Sequence, residues 1–328
     1  MAVTTTGRVR QEMMGNEAMN DQDYRGVIKE VGRGAHGARA LSRADARKLF
    51  GQMLDGAVPD MELGAIILAY RIKGESVEEL QGFEDALTER TARIDLPVGG
   101  PLAVVLPSYN GARKLPNLTA LVALLLKGRG IPVLIHGVGQ GGPDSYGRIS
   151  TAEVLAALGM AASRSVDEAG DALRAGQLAY LPVEKLCAGL SNLLDTRSRL
   201  GVRGSAHTVT KMLDPFAGRS VRVVPLTHPA YFDTMRPCLV ASGSPAILMR
   251  GSEGEPYAGP RRPLSVERIA LGECVVLEEG RPTDTPLPEP IDAVTTARWI
   301  ESALQGANEI PATILRQVEW LENLARGG

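Results

Sequence analysis

Aromatic side chains are scarce: Phe, Trp and Tyr together make up 4% of the 328 residues. A chain so poor in rings shows no stacking platform for bases, so any nucleic acid it met would be held by its phosphates. Cysteine is scarcer still. The three thiols, Cys187, Cys238 and Cys274, are odd in number and lack ligand spacing. That argues against a disulfide framework and a cysteine-based metal site, and reads them as small hydrophobes of a reducing compartment. No apolar run approaches the roughly 18 residues of a membrane span. No signal-type apolar stretch precedes a cleavage site near the start of the chain. The expectation is a cytoplasmic protein with no membrane partner.

What is present suffices for a large core. Hydrophobic residues make up 44% of the chain, enough for two unequal domains. The net charge is −2, which by itself speaks against a polyanionic partner. The distribution speaks differently. Between Arg197 and Arg262 stand ten basic residues against four acidic ones, and a local field of this kind steers a polyanion even on an acidic protein. The same count is equally compatible with a solvated face that has no partner.

Residues 1–22 are polar and aperiodic and read as a disordered tail. From there the pattern is helical to about Arg90: Ser42 and Ser76 stand as N-caps and Pro59 near a helix start. This predicts a small all-helical domain over residues 23–96, followed by the linker Asp-Leu-Pro-Val-Gly-Gly-Pro. Over residues 101–328 the runs LAVVL, IPVLI, VRVVPL, AILMR and ECVVLE alternate with helical stretches. The fold class is therefore α/β: a mostly parallel central sheet flanked by helices, with ligands expected at the strands' carboxyl ends. Residues 183–213 interrupt the alternation with helix only and are a candidate to pack back onto the helical domain.

The segment from Leu41 to Leu87, above all Arg71-Ile72-Lys73-Gly74-Glu75-Ser76, resembles the N-terminal domain of the anthranilate phosphoribosyltransferase family. The resemblance implies the class IV phosphoribosyltransferase fold, which nucleoside phosphorylases share, with helical domains that form a homodimer. It also implies that phosphoribosyl pyrophosphate (PRPP) and Mg²⁺ bind in the cleft between the domains.

Four motifs of that family are altered. Its pyrophosphate loop, GTGGD, reads Ser108-Tyr109-Asn110-Gly111-Ala112 here, with Arg113 and Lys114 following as side-chain cations able to hold a phosphate. The subsequent FNIST motif keeps its asparagine as Asn117 and ends in Thr119. KHGNR becomes Ile135-His136-Gly137-Val138-Gly139, which loses the lysine, and a histidine after a strand reads as a structural hydrogen-bonder. Arg148, with the helix start Ser150-Thr151, still suits an anion, although a plain N-cap explains the serine equally well.

The metal motif aligns with residues 250–257 and puts Pro256 and Tyr257 where the family has an acidic pair, so no metal site is expected unless Glu253 or Glu255 is shifted into place. The aromatic-acid segment reads Val183-Glu184-Lys185-Leu186-Cys187-Ala188, although Arg197 matches the anthranilate-clamping arginine. No catalytic residue is assigned.

The stretch LSNLLDTRSRLGVRGSAHTVTKMLDPF, residues 190–216, resembles the divergent YbiB-type branch of the family, associated with DNA and RNA binding. The resemblance implies a homodimer that contacts nucleic acid through its phosphates. The candidate contacts are Arg197, Arg199, Arg203 and Lys211, then Arg219, Arg222, Arg236 and Arg250. No cofactor is required under this reading. The alternative is an active transferase that uses PRPP and Mg²⁺ with an unknown acceptor.

Overall fold

The first four helices begin where the sequence supplies a side-chain acceptor or a proline. The computed structural model describes residues 23–34, 36–139, 147–279 and 284–327; the tail expected over residues 1–22 and most of the loop after Gly139 lie outside them. Asp23 caps α1 (Tyr24–Val31), Ser42 caps α2 (Arg43–Leu54), and Pro59 precedes α3 (Asp60–Lys73). Ser76 and Glu79 form a reciprocal capping box on α4 (Val77–Arg90), which satisfies two backbone donors at once. Phe50 of α2 stacks on Phe83 of α4 at 4.7 Å between ring centroids. Each such buried ring contributes on the order of 1.5–3 kcal/mol.

The turn between α3 and α4 is held from inside. Glu79 is fully buried and accepts from Lys73 Nζ at 2.6 Å, Tyr70 Oη at 3.0 Å and Leu41 N at 2.9 Å. A buried carboxylate with this many donors stays in place only while all of them remain.

The larger part of the chain runs β1 (Ala103–Ser108), α5 (Thr119–Gly128), β2 (Val133–Gly137), α6 (Thr151–Ala157), α7 (Val166–Arg174) and β3 (Ala179–Pro182). Then come three short helical elements, α8 (Val183–Leu186), α9 (Ala188–Leu200) and α10 (Ala206–Val209), and a 3₁₀ turn at Thr210–Met212. It closes with β4 (Ser220–Leu226), α11 (Ala230–Ser242), β5 (Ala246–Arg250), β6 (Leu264–Ala270), β7 (Glu273–Glu279), α12 (Ala293–Leu304) and α13 (Ala312–Ala325). The strands form one sheet in the order β3-β2-β1-β4-β5-β6-β7, parallel from β3 through β5 and antiparallel beyond.

Both faces of the sheet are covered, which is why its central strands read as continuous apolar runs. Val104 and Leu106 of β1 join the core beneath α5 and α13, while Ala103 and Val105 join the core shared with the helical bundle. The helices over residues 183–213 lie in that second core. Gly189 of α9 sits so close to α2 that a Cβ would come within 1.9 Å of the Leu54 carbonyl oxygen, and Ala92 N donates to Leu186 O at 2.8 Å.

The architecture is the one expected, with two strands the sequence did not signal. Strand β3 is four residues long, and β6 carries Glu267 turned inward to an arginine of α11. The β6–β7 hairpin turns through Leu271 and Gly272, both at positive φ (54° and 76°), a combination usually signalled by Asn-Gly. Among the described residues no helix is long and apolar enough to cross a membrane.

Candidate functional site

Strands β1, β2 and β3 end in register, with Ser108 opposite Gly137 and Gly137 opposite Pro182; Leu226 of β4 pairs with Arg250 of β5. The loops leaving these strands therefore meet at one edge of the sheet, where an open α/β sheet holds its ligands.

The loop after β1 presents its backbone N–H groups inward. Gly111, at φ 63°, makes the bend, and a Cβ there would meet Arg148 Cβ at 3.0 Å. Two hydroxyls from other elements close the cradle: Thr119 opens α5 and Thr151 opens α6, both buried.

The cradle is filled by the chain itself. Glu253, at φ 53°, and Gly254, at φ 91°, turn the segment after β5 back on itself and drive two glutamates into the loop after β1. Glu255 is fully buried. Its Oε1 accepts from the backbone N–H groups of Asn110 and Gly111, both at 2.8 Å. Its Oε2 accepts from the Ser108 hydroxyl in a short contact, and from Thr119 and Thr151, each at 3.3 Å. Glu253 Oε1 accepts from the N–H groups of Arg113, Lys114 and Leu115 at 3.0, 2.7 and 3.0 Å, and its Oε2 meets Arg148 Nη1 at 3.2 Å. Burial acts to raise the Glu253 carboxyl, but the three backbone donors and Arg148 outweigh it and hold it below the usual carboxylate range. Asn110 Nδ2 donates to Gly254 O at 2.8 Å and ties loop to turn.

The phosphate residues read from the sequence are thus gathered in one place, around Glu255 and Glu253 rather than around an open space. Arg113 and Lys114 contribute backbone N–H groups while their side chains are exposed. Asn117 is spent locally: it accepts from Thr119 N and donates to Ile149 O. Ser150 belongs to the capping box of α6 with Glu153, leaving Thr151 as the member that reaches the cradle.

His136 is fully buried, with Nδ1 2.6 Å from Tyr109 Oη and Nε2 without a partner among the described residues. Burial pushes its imidazole down to about 3, so it is neutral near pH 7 and supplies no positive charge. Gly137 packs where a Cβ would overlap the Ser108 carbonyl oxygen at 2.0 Å.

The same geometry tests whether Mg²⁺ fits. Glu253 and Glu255 are the carboxylates of the segment that aligns with the metal motif, and both face N–H and O–H donors. A carboxylate surrounded by donors and an arginine is arranged for the opposite of a cation. Pro256 and Tyr257, aligned with the acidic pair, are committed elsewhere: Pro256 O accepts from Gln317, and Tyr257 Oη donates to Pro116 O at 2.7 Å. The residues present do not fit the metal.

Beside the cradle opens a cleft of about 770 Å³ between the α3–α4 turn, the α9–α10 segment and the loop after β4. Thr227 borders both sites, since it lines the cleft and stands against Gly254. Arg71 reaches across the cleft to Tyr231 Oη at 3.3 Å, and Arg203 and Lys211 line the opposite wall. Burial, together with the charge of Arg203, pushes the Lys211 ammonium down to about 8. His207 is pushed down to about 3 by burial, then by Arg203, Arg197 and Lys211, so four basic side chains crowd one corner. Like charges gathered this closely mark a place suited to an anion. Lys73 is taken by Glu79, and burial pushes up the carboxyl of Glu75 on the cleft wall.

The eight basic candidates do not share one face. Arg203 and Lys211 line the cleft, Arg197 lies near enough to act on His207 of its wall, and exposed Arg250 ends β5 at the same edge of the sheet. Arg219 immediately precedes β4 and therefore lies at the sheet's other end. Arg199 pairs with Asp60 at 2.9 Å, and Arg236 makes a two-point pair with Glu267 at 2.6 and 2.7 Å. Arg222 needs correcting as a surface contact: it is 2% exposed and bonds Glu84 at 2.5 Å, Ser242 Oγ at 2.6 Å and Met212 O at 3.1 Å. It stands on a central strand buried on both faces, where a pair of this kind is structural. Sequence reasoning missed Arg71 as a cleft residue, although it opens the run that carries the family resemblance.

Comparison with known proteins agrees with this fold. Residues 25–91 match the glycosyl transferase family helical bundle domain. A protein of Escherichia coli K12, "Uncharacterized protein YbiB", is 40% identical over 90% of this chain and 92% of its own length. An anthranilate phosphoribosyltransferase of Methylobacterium radiotolerans is 29% identical over 83% of this chain and 79% of its own. Among solved structures, anthranilate phosphoribosyltransferase of Thermus thermophilus superposes with a TM-score of 0.73 at 21% identity, covering 92% of this chain and 89% of that one. The Saccharomyces cerevisiae enzyme in complex with PRPP and Mg superposes with a TM-score of 0.71 at 14% identity, covering 95% and 91%.

Proposed function

This chain belongs to the family of YbiB, on the anthranilate phosphoribosyltransferase scaffold, and from that premise we propose that it is a homodimeric protein that binds DNA or RNA through phosphates in its interdomain cleft. The observation that carries the reading is the convergence of Arg71, Arg203 and Lys211 on one open cleft, with Arg197 near enough to act on His207 of its wall. Arg250 extends the positive charge along the same edge of the sheet. These side chains come from elements far apart in sequence, so the basic density is a product of the fold.

Transfer of a phosphoribosyl group on this scaffold is the less favoured reading. It would require donors open to the pyrophosphate and carboxylates open to Mg²⁺, and here the two sets satisfy each other. A second copy as partner is supported by Met61, Leu68 and Ile72, which form one exposed apolar stripe along α3.

Binding of this kind depends on charge and is nearly indifferent to sequence. Fluorescence anisotropy with a labelled 30-nucleotide strand tests it. The double reversal Arg203→Glu with Lys211→Glu lowers affinity by at least 100-fold at 50 mM salt, whereas an unchanged affinity removes the cleft as the binding surface.

A further inference from the structure

The cradle after β1 is a complete oxyanion site with an occupant already in it. Its donors come from three places in the chain: the Ser108, Asn110 and Gly111 end of β1, the first residue of α5, and the first residue of α6. Ser108, Thr119 and Thr151 are each at most 4% exposed, so their hydroxyls have no water to turn to. Five donor groups surround one carboxylate, two of them, the Ser108 and Thr151 hydroxyls, also bonded to each other at 2.7 Å, which is more than a glutamate needs for solubility and matches what a phosphate group receives at a loop and helix start.

The turn that delivers the carboxylate is specific. Glu253 adopts a left-handed conformation, and Gly254 occupies a position where a Cβ would stand 2.3 Å from Asn110 Nδ2. The segment from Ser252 to Glu255 is closed by the bond from Glu255 N to Ser252 O at 3.0 Å, which fixes the reach of the side chain.

We infer that Glu255 is a built-in ligand of this cradle: it takes the place of a phosphate group, excludes inorganic phosphate and diphosphate from the native protein, and leaves a phosphate-binding site behind when its carboxylate is removed. Exclusion follows from occupancy and charge together. A diphosphate entering the cradle would displace one carboxylate and lie beside a second, that of Glu253. Removing the Glu255 side chain reverses the situation: the N–H groups of Asn110 and Gly111 and the Thr119 hydroxyl lose this acceptor, the Ser108 and Thr151 hydroxyls keep only each other at 2.7 Å, and an oxyanion of suitable size can satisfy them. The ligand class is a tetrahedral phosphate, with formate or acetate as the smallest substitutes for the missing side chain.

The test is chemical rescue of Glu255→Ala, read by thermal melting at constant ionic strength in chloride, formate or inorganic phosphate. The expected result is a midpoint for Glu255→Ala that rises by at least 5 °C between chloride and 50 mM phosphate or formate. Wild type and the isosteric Glu255→Gln, whose amide still fills the cradle, shift by less than 1 °C. A Glu255→Ala midpoint that responds no more than wild type overturns the inference. Should Glu255→Ala fail to fold in chloride, recovery of soluble protein in phosphate or formate supports it, and equal loss in all three buffers overturns it. Calorimetric titration with diphosphate of the Arg203→Glu, Lys211→Glu protein, whose cleft no longer attracts anions while Glu255 is kept, is expected to show no binding up to 5 mM, and a micromolar constant would refute the built-in ligand outright. The cradle and the cleft are probed separately: loss of rescue leaves nucleic-acid binding untouched, and loss of nucleic-acid binding leaves the rescue standing.

Discussion

Substituting Arg222 by alanine separates a structural arginine from a ligand-binding one. The guanidinium is 2% exposed and donates to Glu84, Ser242 and Met212, joining α4, α11 and the 3₁₀ turn before β4. Its removal leaves the Glu84 carboxylate, whose side chain is 15% exposed, without its partner. Breaking one side of a buried pair costs about 3–5 kcal/mol. In a chain of this size each kcal/mol lowers the melting midpoint by about 2 °C, so Arg222→Ala melts about 6–10 °C below wild type. Replacing both partners, Arg222→Met with Glu84→Leu, recovers most of the loss because no uncompensated charge remains. The companion assay is nucleic-acid binding well below the midpoint. Since the side chain does not reach the surface, affinity and salt dependence stay at wild-type values. A variant with an unchanged midpoint whose salt slope had dropped by about one contact's worth, roughly 0.7–0.9, would show that Arg222 meets phosphates and that the buried placement is wrong.

Two further outcomes follow from the same structure. His136 is held at about 3 when folded and returns to its ordinary value of 6.5 on unfolding. The unfolded chain therefore binds the extra proton, and stability falls as pH drops from about 6.5 toward 3. By pH 5 this amounts to about 2 kcal/mol relative to pH 7. Urea melts of wild type and His136→Gln across that range should diverge by that amount, and parallel curves would contradict a buried neutral imidazole. On α3, the double change Met61→Asp with Ile72→Asp places charge in the exposed apolar stripe and should convert a dimer to a monomer in light scattering; an unchanged mass would exclude this face from the interface.

How much was legible in the sequence depended on the distance over which each signal acts. Caps at Ser42 and Ser76, and the apolar runs of the central strands, act over a few residues and could be read directly. Strand β3 was lost because Ala-Tyr-Leu-Pro is too short to show a period, and β6 because Glu267 faces inward to pair with Arg236. The cradle was half legible. Loop and helix starts were recognisable as a phosphate route, but the acceptor that fills it lies 145 residues further on. Glu255 reads in one dimension as a remnant of a metal motif, and only the left-handed turn at Glu253 and Gly254 reveals it as an anion facing donors. The run Glu-Gly-Glu was the available signal, since a glycine between two acids permits such a turn. The basic stretch misled in the opposite direction. Charge density along the chain says nothing about faces, and Arg219 and Arg250 lie at opposite ends of the sheet.

The central claim is that a cleft built by folding, on a scaffold whose phosphate cradle is filled from within, holds the backbone of a nucleic acid. The most direct measurement is the salt dependence of wild-type binding to single-stranded and duplex DNA, and to RNA, between 50 and 200 mM salt. The expected result is a linear fall of log K with log salt, with a slope of about −3 to −4 on duplex if about four phosphates are engaged, shallower on single strands, and little dependence on sequence. Binding that is absent at 50 mM salt, or whose affinity does not change with salt, would contradict it.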